Sequence, residues 1–175
     1  WSTEGIQGVY RFLQRAARLL LDEDAEGEPL RALAAGRGTP EQQRLMDVTQ
    51  QSLRAGIVQA RAGNRLWDII RAIETTVHAA GYDVLRNYQG HGIGREMHED
   101  PGIPNSLSDS RGRPPNLLLR PGITLAIEPM VVMGSGEPRV LGDNWTVVSA
   151  GGTGSAQCAH TIAITNGEAE ILTKL

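Results

Sequence analysis

Apolar positions fall into two regimes along this chain. Up to about residue 80 they recur at three- and four-residue steps, the period of helices. From Tyr82 onward they come in short runs between glycine-containing turns, the texture of strands. In the first regime Ile6, Val9, Tyr10, Leu13, Ala17 and Leu20 share one face, which predicts an amphipathic helix over residues 3–21. The acidic Gly/Pro stretch Asp22-Glu23-Asp24-Ala25-Glu26-Gly27-Glu28-Pro29 predicts a linker, and residues 30–35 a short helical turn ended by Gly36. Thr39-Pro40-Glu41-Gln42 predicts a helix start, with Thr39 as N-cap, Pro40 at the first helical position and Gln42 completing a capping box. Leu45, Val48, Leu53, Ile57 and Ala60 mark the buried face, and Gly63 stops the helix. Leu66, Ile69, Ile70, Ile73 and Val77 predict a second helix capped by Gly81.

In the second regime residues 84–88, 124–130, 139–141, 146–149, 160–165 and 170–173 read as strands. Residues 99–120 are rich in Pro, Gly, Ser and Asn and predict a long ordered loop, a feature more often functional than idle. There is no internal repeat. Helices followed by a meander of strands give an α+β fold class.

A chain of 175 residues is one domain, or one domain with an appendage. Its 40% hydrophobic content supplies a core. A net charge of −3 speaks against a nucleic-acid or membrane-surface binder, whose footprint is basic. The single cysteine, Cys158, excludes an intrachain disulfide and fits a reducing, cytoplasmic setting. No apolar run approaches the roughly 20 residues that span a bilayer, and no basic region followed by an apolar stretch marks a signal peptide. The chain opens on Trp1 rather than Met, which suggests a fragment, a processed form or an assembled sequence.

A lone histidine beside glycines is usually a turn residue. Here the string Gly90-His91-Gly92-Ile93-Gly94-Arg95 runs on to Met97-His98-Glu99-Asp100-Pro101. It is followed in order by Leu119-Arg120-Pro121-Gly122, Ile127-Glu128-Pro129-Met130 and Asn144-Trp145-Thr146-Val147. From about residue 41 to 175 the chain resembles the C-terminal half of a type I methionine aminopeptidase. That resemblance implies half of a pita-bread fold with an added N-terminal helix, divided into residues 1–37 and 38–175. It implies that His91 and Glu128 bind metal, and that His98 is catalytic, contacting the scissile peptide and steadying the tetrahedral intermediate. Met97 and Trp145 match positions that line the pocket for the substrate's first side chain. The implied cofactor is a divalent metal (cobalt, manganese, iron or zinc) that polarises a carbonyl and acidifies a water. The implied substrate is a peptide N-terminus.

The departures matter as much. In Ser155-Ala156-Gln157-Cys158-Ala159-His160-Thr161, Ala159 stands where the family has a carboxylate that bridges two metal ions. The family's two aspartate ligands come from its N-terminal half, and none of Asp22, Asp24, Asp47, Asp68 or Asp83 stands in that context. Two of five ligands remain, whereas a catalytic zinc takes three protein ligands and a water. Cys158, next to Ala159 on a strand, should face the other way and act as a small buried hydrophobe. The expectation is a hydrolase-family chain with an incomplete site and little turnover. Two alternatives stay open. One is a non-catalytic peptide-binding module. The other is a chain that pairs with a copy of itself or with a missing half-domain, covering an open sheet edge.

Residues 1–22, beginning Trp1-Ser2-Thr3-Glu4-Gly5-Ile6-Gln7-Gly8-Val9-Tyr10, resemble leucyl-tRNA synthetase where it enters its anticodon-binding domain. They carry no synthetase catalytic motif, so no aminoacylation follows. Arg11, Arg15 and Arg18 share a helix face, for which solvation is the simpler reading. Two partial families meeting near Gly38 suggest a fusion, a rearrangement or an artificial chimera.

Overall fold

A computed structural model describes residues 39–109 and 112–173. The predicted N-terminal helix, the acidic linker and the synthetase-like segment lie outside them. The first described helix, α1 (Pro40–Gln59), starts as its sequence requires: the Thr39 hydroxyl accepts from the Gln42 N–H, and the Gln42 side chain accepts from the Thr39 N–H. Gly63 takes a left-handed φ of 92°, and α2 (Leu66–Ala79) follows, with Gly81 just past its end at φ 83°. The predicted apolar positions of both helices are all buried.

Ten short strands follow among the described residues. A five-stranded antiparallel sheet has β10 (Glu170–Ile171), β9 (His160–Ala163), β4 (Thr124–Ile127), β2 (Gln89–Gly92) and β3 (Glu99–Pro104) in that spatial order. A three-stranded antiparallel sheet has β1 (Asp83–Val84), β5 (Met130–Val132) and β8 (Ser155–Gln157). A hairpin of β6 (Pro138–Val140) and β7 (Val147–Ser149) stands apart. The helices cover both larger sheets. Leu53, Ile57, Ile69, Ile70 and Ile73 pack with Leu125, Ile127 and Ile162, while Leu45 and Val77 join Val84 and Val131. Full burial of one such side chain is worth about 1.5–3 kcal/mol, so these two clusters fix how the helices seat on the sheets.

Three expected elements change in the structure. The run 124–130 is two strands, because Pro129 has no N–H to continue a ladder and the chain steps there from one sheet to the other. The run 84–88 ends early: Leu85 and Arg86 donate to the carbonyls of Met130 and Gly136, and Asn87 turns at φ 65° before β2 begins. The expected loop 99–120 opens with a strand. β3 holds Pro101 and Pro104, which an outer strand tolerates because one side of its backbone has no ladder to complete.

Candidate active site

The site forms where β2, β4 and the β8–β9 connection meet. His91 lies on β2, in register with Ala126 of β4. Its Nδ1 is 2.8 Å from the Gly92 carbonyl oxygen, which can only accept, so Nδ1 carries the hydrogen and the ring is fixed. Nε2 then points at Glu128, 3.2 Å from Oε1, with only 12% and 15% of the two side chains exposed. Glu128 follows the last residue of β4, at the step between sheets. Its other oxygen accepts from the Gln157 side-chain amide at 3.4 Å. A histidine held through one nitrogen by a carbonyl, with the other facing a carboxylate, is the arrangement that orients a metal-ligating imidazole.

The carboxylate's hydrogen bond raises the His91 pKa above its ordinary 6.5; burial opposes this, and the Gly92 carbonyl and the Glu128 charge add to the rise. Because the folded value lies above the unfolded one, the pair's contribution to stability is full below pH 6.5 and is lost as pH rises through the raised value. We therefore expect urea midpoints of the metal-free chain to fall across that window, and the fall to disappear in His91→Gln. A pH-independent difference between the two chains would contradict this.

His98 lies beside His91, with ring centroids 4.2 Å apart at an interplanar angle of 44°. Both line an open cleft of about 550 Å³ with Tyr88, Gln89, Glu99 and Asp100. Ile127 pairs with His160 and Met130 with Gln157 in one continuous antiparallel register, so Glu128 stands opposite Ala159 and Pro129 opposite Cys158. Residues opposite each other across such a pair project to the same side, with Cβ atoms about 4.5–5.5 Å apart. A carboxylate at position 159 would thus reach Glu128, and the methyl group there does not. Cys158 is half-buried against the main core, and burial pushes its thiol up from the ordinary 9.0.

The other expected site residues are not gathered in. Met97 is 46% exposed and Trp145, in the turn of the β6–β7 hairpin, is 70% exposed; neither is among the residues lining the cleft. Sequence reading missed Asn105, buried just after β3, whose side-chain amide donates to the Glu128 carbonyl at 3.0 Å. Nothing in its local sequence marks it. Among the described residues no three His, Cys, Asp or Glu side chains are placed to hold one metal ion together. His91 and Glu128 by themselves therefore do not fit a catalytic zinc, which takes three protein ligands.

Comparison with known proteins identifies the family. The model of metallopeptidase family M24 matches residues 28–166. Methionine aminopeptidase 1 of Bacillus subtilis (strain 168) is 43% identical over 140 residues, covering 80% of this chain and 55% of that protein. The methionine aminopeptidase of Clostridium acetobutylicum is 40% identical over 174 residues, 97% of this chain and 68% of its own length. The crystal structure of methionine aminopeptidase from Thermotoga maritima superposes with a TM-score of 0.73 at 44% identity, covering 79% of this chain and 54% of that one. The chain thus spans about half the length of the Bacillus and Thermotoga proteins and has a pita-bread fold. The comparisons lend no support to the leucyl-tRNA synthetase resemblance. Histidine, carboxylate, sheet register and relatives together place this chain in metallopeptidase family M24, among the methionine aminopeptidases.

Proposed function

We propose that this chain carries one half of a methionine aminopeptidase centre, and that alone it does not release N-terminal methionine from peptides. The observation that supports this is the pairing of Glu128 with His91, with Ala159 opposite and no third ligand among the described residues. In this reading His91 and Glu128 are two of the ligands of the completed centre, which would hold a divalent ion only once a further ligand is supplied. His98, on the cleft wall beside His91, contacts the scissile peptide. Met97 and Trp145, both exposed here, receive the methionine side chain once the opposite wall of the site is supplied.

Calorimetric titration with Mn²⁺, Co²⁺ or Zn²⁺ should give weak binding without defined stoichiometry, and a Met-Ala-Ser peptide should stay uncut. A micromolar or tighter site, or cleavage near the usual enzymatic range of about 1–10³ s⁻¹, would overturn this reading.

The opposite wall points to a partner. Strands β3 and β8 are outer strands of their sheets, and both border the site. Open edges beside a half-built centre favour pairing with a second copy or with a missing half-domain. The competing arrangement has residues 1–36 covering the same surface. Light scattering on the full chain and on one lacking residues 1–36 separates them. Pairing keeps both as defined oligomers, covering by residues 1–36 makes the shortened chain aggregate, and monomers in both cases refute the two together. No described helix is long and apolar enough to cross a membrane, and a reduced Cys158 suits the cytoplasm as the place of action.

A further inference from the structure

We infer that Asn105 is the positioning residue for the Glu128 carboxylate. Glu128 sits where the chain leaves the five-stranded sheet for the three-stranded one, next to Pro129. Regular strand pairing stops at Ile127 and resumes at Met130, so the Glu128 carbonyl lies in the gap. Its partner is the Asn105 side chain, at 3.0 Å. Because β2 lies between β3 and β4, Asn105 reaches this carbonyl across the end of a strand it does not belong to.

Two features say that the contact serves the site rather than the core. Asn105 is 1% exposed, and its Oδ1 is enclosed with no hydrogen-bond partner among the described residues. Burying an amide half-satisfied is unfavourable, and an apolar residue of similar shape would avoid it. Turning the amide over would set Oδ1 against the Glu128 carbonyl, acceptor to acceptor, so the orientation that donates is the one the surroundings require. With the backbone of Glu128 held there, its two carboxylate oxygens meet His91 on one side and Gln157 on the other.

The test reads the ring N–H signals of ¹⁵N-histidine-labelled chain in metal-free, mildly acidic buffer. There His91 Nε2–H, bonded to Glu128, should give a slowly exchanging resonance that His91→Gln removes. Asn105→Leu should fold and lose this resonance to solvent exchange. Asn105→His, which carries a ring nitrogen as far from Cβ as the amide, should restore it. Ser106→Ala breaks the neighbouring bond from Ser106 to Glu74 and should leave the resonance intact, which a general loosening of the segment would not. Asn105→Val, smaller and with no polar side-chain atom, is read in the same way should Asn105→Leu fail to fold. The proposal is overturned if a folded Asn105→Leu or Asn105→Val keeps the resonance, or if Ser106→Ala loses it equally. It is also overturned if neither Asn105→Leu nor Asn105→Val folds, since Asn105 would then hold up the core. The inference rests on Glu128 being the site's carboxylate, but the signal is read without metal or peptide, so it can fail separately from any failure to bind them.

Discussion

Gly90→Ala destabilises the chain by about 3 kcal/mol or more, toward the upper end of what overpacking costs, and takes the ordered His91 with it. A Cβ at position 90 would lie 2.2 Å from the Ala126 carbonyl oxygen and 3.3 Å from the Glu128 N. These are backbone atoms of the neighbouring strand β4 and of the residue that follows it, and no side-chain rotation relieves the clash. β2 and β4 would have to separate, breaking the register that sets His91 beside Ala126. Gly56→Ala is the control. There the new Cβ meets Ile73 Cγ1 at 2.9 Å, a side-chain atom that yields further than a backbone carbonyl, and alanine gains about 1 kcal/mol in helix propensity over glycine, so its cost stays below that of Gly90→Ala. Urea denaturation of both variants checks this. A Gly90→Ala chain within about 1 kcal/mol of the parent would mean that the strands are less tightly set than the structure has them.

Ala159→Glu tightens divalent metal binding by at least about tenfold, or ~1.4 kcal/mol, and turns an undefined interaction into a single site. Its side chain would project beside Glu128 and within reach of His91, making three ligands where two converge now. Cleavage of a Met-Ala-Ser peptide should not follow on the reading proposed above, in which this chain carries one half of the centre. Titration with Mn²⁺ or Co²⁺ on the parent and the variant measures the first effect, and a peptide assay on the loaded variant measures the second. An unchanged affinity would mean that position 159 does not face Glu128. Cleavage at rates ordinary for an enzyme would mean that three ligands suffice.

Much of this was legible in the residues. The Thr39-Pro40-Glu41-Gln42 start and the buried faces of both helices follow from local rules, since caps and a 3.6-residue period need no distant partner, whereas the first helix ends at Gln59, four residues before Gly63. The strands were harder. A two-residue strand such as β1 exists only because β5 lies beside it, and β3 is disguised by prolines that its outer position permits. The His91 and Glu128 motifs and the alanine at position 159 were readable because each is a matter of side-chain type.

How those motifs meet was not readable. His91 and Glu128 are brought to 3.2 Å by a ladder between strands distant in sequence, and Ala159 is set opposite Glu128 by a register that runs across the gap at Pro129. The amide of Asn105 is invisible in sequence because an asparagine after a proline reads as a turn, and only burial and the strand order give it Glu128 as a partner. The sequence by itself determined which groups are available, with a methyl group and not a carboxylate at position 159, because chemistry resides in side chains. Only the tertiary structure decided which of them converge, because distance between strands is set by packing and backbone pairing, not by position along the chain.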